Sequence, residues 1–230
     1  MNFGVVRDNL PYLLLGAWPD GPLGGAALTL VLSALSGLAA ASVGLVLGIA
    51  LALVRNRWLH AAVLAVLAFF RAIPVLLLIF WVYFLLPVAF GLDVPKLFTV
   101  VVALSLVGGA YLAHSVYSGI QSLAAGQWLA AAALGMTRWQ VLRLVLLPQA
   151  LPMMAPSFIN QWVSLIKDTS LAYVIGVAEL SFVATQVSNR VMVYPAEIFL
   201  AVALIYYLFC ASLDLGSGWL SRRYAHIPQL

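Results

Sequence analysis

GQWLAAAALGMTRWQVLRLVLLP, residues Gly126 to Pro148, lies between hydrophobic spans without being built as one. Gly126 and Gly135 bracket an alanine-rich helical stretch, Arg138 and Arg143 follow, and Pro148 closes the segment. Small side chains let a helix backbone lie close against another protein. Flanking arginines place such a helix at the cytoplasmic face of a membrane.

The rest of the chain requires that membrane. Of its 230 residues 65% are hydrophobic and 8% charged, whereas a soluble domain carries about a quarter charged residues. So few charges cannot cover a water-facing surface, and lipid is the expected solvent. The net charge of +4 comes from scattered residues rather than a basic stripe, which gives no support to nucleic-acid binding. The lone Cys210 cannot form an internal disulfide and reads as a packing or lipid-facing residue. Arg7 is offset by Asp8, and the short apolar run Leu13 to Leu15 is followed by Trp18-Pro19-Asp20-Gly21. That is a poor signal peptide. Residues 1–23 are expected to form a retained interfacial segment, with Trp18 at headgroup level.

A bilayer core needs about 20 apolar residues in helical form. Five spans are expected: Gly24 to Val54, Leu59 to Val88, Leu97 to Ala113, Pro148 to Ile166 and Ala196 to Leu220. In the first, Gly37, Ala41, Gly44 and Gly48 recur at helical spacing and form a stripe on which another helix can pack. Pro148, Pro152 and Pro156 share a face of the fourth, so that helix is expected to enter bent. One set of loops collects Arg55, Arg57, Arg138, Arg143, Arg222 and Arg223, and the other Arg7, Lys96 and Arg190. The positive-inside bias then puts the C-terminus and residues 126–143 in the cytoplasm and the N-terminus outside. No soluble domain and no repeat of fixed period is evident.

Bond-making chemistry finds little support. His60, His114 and His226 lack metal-ligand spacing, and no glycine-rich phosphate loop with its lysine is present. If ATP drives the protein, a partner binds it. Arg71 lies inside the second span, one turn before Pro74, where an arginine costs about 3 kcal/mol unless it meets a cavity or a partner. It is read as contacting an anionic substrate group or supporting the wall beside one; an ion pair or a capping role at the kink satisfies the same cost. Lys167-Asp168-Thr169-Ser170 is polar where the chain is otherwise apolar, and helix breaks at such depth bind ions or zwitterions. Lys167 suits a carboxylate and Asp168 an ammonium group; mutual pairing, or pairing with Arg71, is the alternative. Glu179 reads as a structural anchor.

Gly126, Gln127, Ala130, Ala131, Ala133, Leu134, Gly135 and Met136, with Leu147-Pro148-Gln149-Ala150, resemble the EAA loop of ABC-importer permeases, in the polar amino-acid branch. Leu129 stands where the namesake glutamate is usual. Phe69-Phe70-Arg71-Ala72-Ile73-Pro74 resembles the FRGTP-type motif of that branch, and Lys167 to Leu180 its KDTSL…VIGVAEL segment. The FRAIPVLLLIFWVYF and KDTSLAYV runs look nearest to the glutamate/aspartate type among the histidine, glutamine and glutamate/aspartate permeases. His114 and Tyr117 replace an acidic and a basic residue common in the family, which hints at one of two non-identical permease halves.

The resemblance implies an all-α integral-membrane chain with the type I ABC-importer permease fold, residues 1–230 forming one transmembrane permease domain of the bacterial inner membrane. It implies docking of an ATPase subunit through Gly126, Gln127, Leu129, Ala130, Ala131, Ala133, Leu134, Gly135 and Met136. Substrate contact falls to Arg71, Lys167, Asp168, Thr169 and Ser170. The implied partners are a second permease subunit, two ATPase subunits carrying ATP and magnesium, a periplasmic solute-binding protein and a polar amino acid such as glutamate or aspartate. The chain itself binds no cofactor or metal and is not an enzyme. A stand-alone secondary transporter is the alternative, expected to show inverted repeats. An intramembrane hydrolase built on Ser164 and His114 is a remote one.

Overall fold

Long apolar runs without internal breakers become long helices, since lipid offers no partners for backbone groups and each must be bonded within the chain. The computed structural model describes residues 3–91, 93–123 and 125–224. Among these residues all regular structure is helical, apart from the isolated bridges Gly16 to Leu23 and Gly25 to Glu179. In chain order the helices are α1 (Gly4–Leu15), α2 (Gly25–Leu53), α3 (Arg57–Ala72), α4 (Val75–Phe90), α5 (Lys96–Gln121), α6 (Ala125–Ala133), α7 (Arg138–Ile175), α8 (Leu180–Val191) and α9 (Pro195–Tyr224). Among the described residues α2, α5, α7 and α9 are each long and apolar enough to cross a membrane.

The second expected span differs. It is not one rod from Leu59 to Val88 but the pair α3 and α4, bent by 100°. Pro74 is the cause: it has no N–H to continue the ladder, and its ring opposes the carbonyl four residues back. Its own carbonyl starts α4, accepting from the Leu77 and Leu78 amides at 3.0 and 3.3 Å. A 16-residue α3 is about 24 Å long, short of the roughly 30 Å hydrocarbon core. By itself α3 is therefore too short for a straight crossing. The first span matches its expected bounds to within a residue at each end, and the third, fourth and fifth helices are longer than expected. The third continues to Gln121, and the fourth helix begins at Arg138, so Arg138 to Arg143 form the start of a helix rather than a loop.

The small-residue stripe of α2 meets α5. A Cβ added to Gly44 would lie 2.5 Å from the Leu112 Cβ, and one added to Gly48 would lie 2.5 Å from the Val116 Cβ. Higher on the stripe, Gly37 faces the Trp162 ring of α7. Close approach is what holds helices together in lipid, where hydrophobic exclusion gives no drive. Gly44→Leu is therefore expected to lower the yield and the unfolding midpoint of detergent-solubilised protein, at a cost of about 3 kcal/mol from overpacking against a backbone that cannot retreat. Val46→Leu, on the exposed side of α2, is expected to leave both unchanged.

Two clusters extend the packing to α1, α6, α8 and α9. Leu13 of α1, Ala26 of α2, Leu180, Val183, Ala184 and Val187 of α8, and Ile198 and Val202 of α9 form one. The N-terminal segment thus docks on α8 and α9 through Leu13, and Tyr12 donates to Gln186 at 2.9 Å. Trp18 stays exposed. Glu179 anchors this region, as expected. Its fully buried carboxylate caps α8, accepting from the Ser181 and Phe182 amides at 2.9 and 2.8 Å and from the Tyr206 hydroxyl at 2.9 Å. The other cluster joins Val116 and Ile120 of α5 to Ala131 of α6 and to Val141, Leu142, Leu146, Ala150 and Met154 of α7.

Candidate functional site

Arg71 sits in the last turn of α3, where the break at Ile73-Pro74 stops the helical ladder. A continuous helix would satisfy the Arg71 carbonyl four residues on. Here the Tyr111 hydroxyl of α5 donates to it at 3.3 Å. The guanidinium carbon lies 5.2 Å from the centre of the same Tyr111 ring, a cation–π arrangement. The side chain is half-buried, and its buried Nε has no hydrogen-bond partner. A five-donor fork in a desolvated setting, held over a ring and left with an unspent donor, is suited to a carboxylate.

Tyr111 opens a polar face of α5. Tyr111, His114, Ser118 and Gln121 are all exposed and follow one another at helical spacing. Half-buried Tyr117 receives a hydrogen bond from Gln121 Nε2 at 3.1 Å and lies 3.2 Å from His60 Nε2 of α3. His60, Tyr117 and Gln121 thus form a hydrogen-bonded network linking α3 to this part of α5. Of this face only His114 stood out in the sequence, and the helical spacing of its polar residues is the signal that reveals the rest. Polar residues exposed on a membrane helix face the bundle interior, water or another subunit rather than lipid.

Lys167 to Ser170 do not break α7. The helix tightens there to a 3₁₀ stretch, Thr169–Ile175, and ends at Gly176. Thr169 is fully buried and its hydroxyl donates to the Ile166 carbonyl at 2.7 Å; Ser170 donates to the Lys167 carbonyl at 2.6 Å. These hydroxyls stabilise the tightened turn instead of pointing at a ligand. Lys167 is exposed and Asp168 half-buried beside it, with Lys167 as its opposing charge. Phe70 and Ile73, the neighbours of Arg71, share one apolar cluster with Leu165, Leu171 and Ala172, the neighbours of Lys167. An open groove of about 350 Å³ between α2, α5 and α7, lined by Gly37, Ala41, Leu112, Phe158 and Trp162, is almost wholly apolar. It does not suit a zwitterion.

The alanine-rich stretch forms α6 and a turn with its own local code. The Met136 amide donates to the Ala131 carbonyl at 3.2 Å and the Gly135 amide to that of Ala132 at 3.0 Å, a Schellman closure. It requires the left-handed conformation that Gly135 adopts at φ 77°. Thr137 then caps α7 in a capping box with Gln140. The local sequence code for this stop and restart is Gly135-Met136-Thr137 with Gln140. Ala131 is buried, and Gln127, Trp128 and Met136 are half-buried against α5 and α7. Leu129 and Leu134 are 72% and 82% exposed, with Gly126, Ala130, Ala133 and Gly135 beside them. Among the described residues from Ala125 to Thr137 no side chain is charged. The outer face of α6 is therefore apolar and unpartnered within the chain.

Before α7 reaches Pro148 it widens into a π turn, Leu142–Leu146, in which the Leu147 amide reaches back to the Leu142 carbonyl. α4 repeats the device at Trp81–Leu85, ahead of Pro87, with the Leu86 amide on the Trp81 carbonyl. Each π turn precedes a Leu-Pro pair and makes room for the proline ring. Pro152 and Pro156 lie inside the continuing helix.

Apolar spanning helices, basic and polar groups set within them, and a bare apolar knob at one end define a membrane transport subunit. The model of the binding-protein-dependent transport system inner membrane component family matches residues 44–226. The chain belongs to that family: it is an inner-membrane permease of an ABC importer for amino acids. It is 33% identical to the glutamate/aspartate import permease protein GltK of Escherichia coli O6:H1 over 97% of this chain and 98% of that one. With the glutamine transport system permease protein GlnP of Escherichia coli K12 it shares 37% identity over 90% of this chain and 94% of the other. A crystal structure of an amino acid ABC transporter with histidines superposes with a TM-score of 0.80 at 26% identity, covering 97% of this chain and 99% of that one. The type I importer permease fold expected from the sequence is the fold observed.

Proposed function

We propose that this subunit forms half of the pathway of an ATP-driven importer for an acidic amino acid, glutamate or aspartate. The observation that carries this reading is the partly buried Arg71 guanidinium over Tyr111 with its unspent Nε donor. Lys167, exposed near the far end of α7, offers a second cation. With Asp168 available to an ammonium group, the set matches the charges of an acidic amino acid, and the likeness to GltK points the same way.

The outer face of α6 is the handle for the ATPase subunit, which holds the ATP and magnesium. Its bare Leu129 and Leu134 fit an apolar socket on that partner. The positive-inside bias, with Arg55, Arg57, Arg138, Arg143, Arg222 and Arg223 at the ends of the helices on one side, supports α6 and the C-terminus in the cytoplasm and α1 outside. A second permease subunit, non-identical to this one, covers the polar face of α5, and a periplasmic solute-binding protein delivers the amino acid. ATP shifts the pair of permeases between two states only because it prefers one of them.

The test is ATP hydrolysis by the complex reconstituted in proteoliposomes with its binding protein, measured across a panel of amino acids. Glutamate and aspartate are expected to stimulate it. Stimulation by glutamine or a cationic amino acid in their place overturns the acidic reading.

A further inference from the structure

Gln127, in the first turn of α6, and Gln149, in α7, exchange a reciprocal pair of hydrogen bonds. Gln127 Nε2 donates to Gln149 Oε1 at 3.0 Å, and Gln149 Nε2 donates to Gln127 Oε1 at 2.9 Å. The Gln149 amide also donates to the Val145 carbonyl at 2.6 Å. Val145 lies within the π turn Leu142–Leu146. One side-chain amide thus ties together the start of α6, the widened turn and the body of α7. Around it, Trp128, Ala131 and Met136 pack against Leu142, Leu146 and Ala150. Apolar packing of this kind resists separation but permits sliding, whereas two opposed amide planes have one register.

We propose that the Gln127–Gln149 clasp is the link by which displacement of α6 is passed to α7, which makes Gln149 a positioning residue for transport. The proposal rests on the reading of α6 as the ATPase handle. The outer face of α6 is free to be moved, and the inner face is locked in register to α7 at its weakest point. There the π turn and Pro148 interrupt the regular ladder, so a tug on α6 tilts α7 as a lever. Lys167 lies 18 residues beyond Gln149, about 27 Å along the helix. A small tilt at the clasp becomes a larger displacement at Lys167 and Asp168.

The experiment uses the assembled complex with Cys210→Ser and a reporter cysteine, Tyr173→Cys, at the exposed far end of α7. Its rate of labelling by a membrane-impermeant maleimide is measured with and without ATP–vanadate, and copurified ATPase is quantified in parallel. In the parent the trapped nucleotide is expected to change the rate by about fivefold or more, the scale of a modest coupling free energy. Gln149→Leu is expected to shrink the change below about twofold, with the ATPase retained. Gln127→Glu with Gln149→Lys rebuilds a paired link, the lysine still able to reach the Val145 carbonyl, and is expected to restore it.

A parent-sized change in Gln149→Leu overturns the proposal, as does a parent whose reporter ignores ATP–vanadate. Loss of the ATPase from Gln149→Leu alone overturns it too, since the pair then serves only to hold α6 for docking. A parent that brings down no ATPase overturns the docking reading and this proposal with it.

Discussion

Arg71→Ala is expected to abolish amino-acid uptake by the reconstituted transporter while the complex assembles at normal yield. The guanidinium makes its contact within the chain with the Tyr111 ring, and its buried Nε is unspent. A cation–π contact is worth about 1–2 kcal/mol, so its loss leaves the bundle intact. A charge-assisted bond to a substrate carboxylate contributes about 1.5–3 kcal/mol each, and two of them account for a hundredfold or greater loss. Arg71→Lys keeps the charge without the planar fork and is expected to fall between the two. Uptake assays set against size-exclusion profiles separate transport from assembly. Normal uptake by Arg71→Ala removes Arg71 from the substrate path.

Gly135→Arg is expected to release the ATPase subunit. At φ 77° the position disfavours any side chain, yet a Cβ there meets nothing within 4 Å of this chain. The bulk of arginine therefore falls on whatever lies against the knob rather than on the permease itself. Gly135→Ala carries the backbone strain alone, roughly 1 kcal/mol, and Gly135→Asn suits the left-handed conformation. Both are expected to retain the ATPase, while the arginine variant loses it by about tenfold or more, equivalent to 1.4 kcal/mol of binding. Copurification of the ATPase with Gly135→Arg at normal yield contradicts the assignment of α6 as the docking element.

Much of the architecture was legible because lipid makes simple demands. A chain with 65% hydrophobic residues must close its backbone hydrogen bonds in helices, and span lengths follow from bilayer thickness. The stripe through Gly44 and Gly48 announced a close helix contact, which proved to be with α5. Glu179 was read as an anchor beside its resemblance to the glutamate of the VAEL segment, and the donors that make it one are supplied by the first turn of α8. The site was less legible. Lys167 to Ser170 read as a helix break, but Thr169 and Ser170 turn their hydroxyls onto the carbonyls three residues back and keep the helix wound. A short polar run specifies only that its groups be bonded, and local carbonyls met that need.

Composition, loop charge and the alanine-rich stretch by themselves determined that this is a helical membrane protein with one small-residue knob between two spans. Those features depend on local chemistry and on solvent, which any window of sequence reveals. Tertiary structure alone decided that Pro74 turns the chain by 100° rather than merely kinking it. It alone set Arg71 over Tyr111, forty residues away in sequence, and clasped Gln127 to Gln149 across the π turn. Such pairings depend on how separate helices cross, and a crossing is set by the shapes of both partners together.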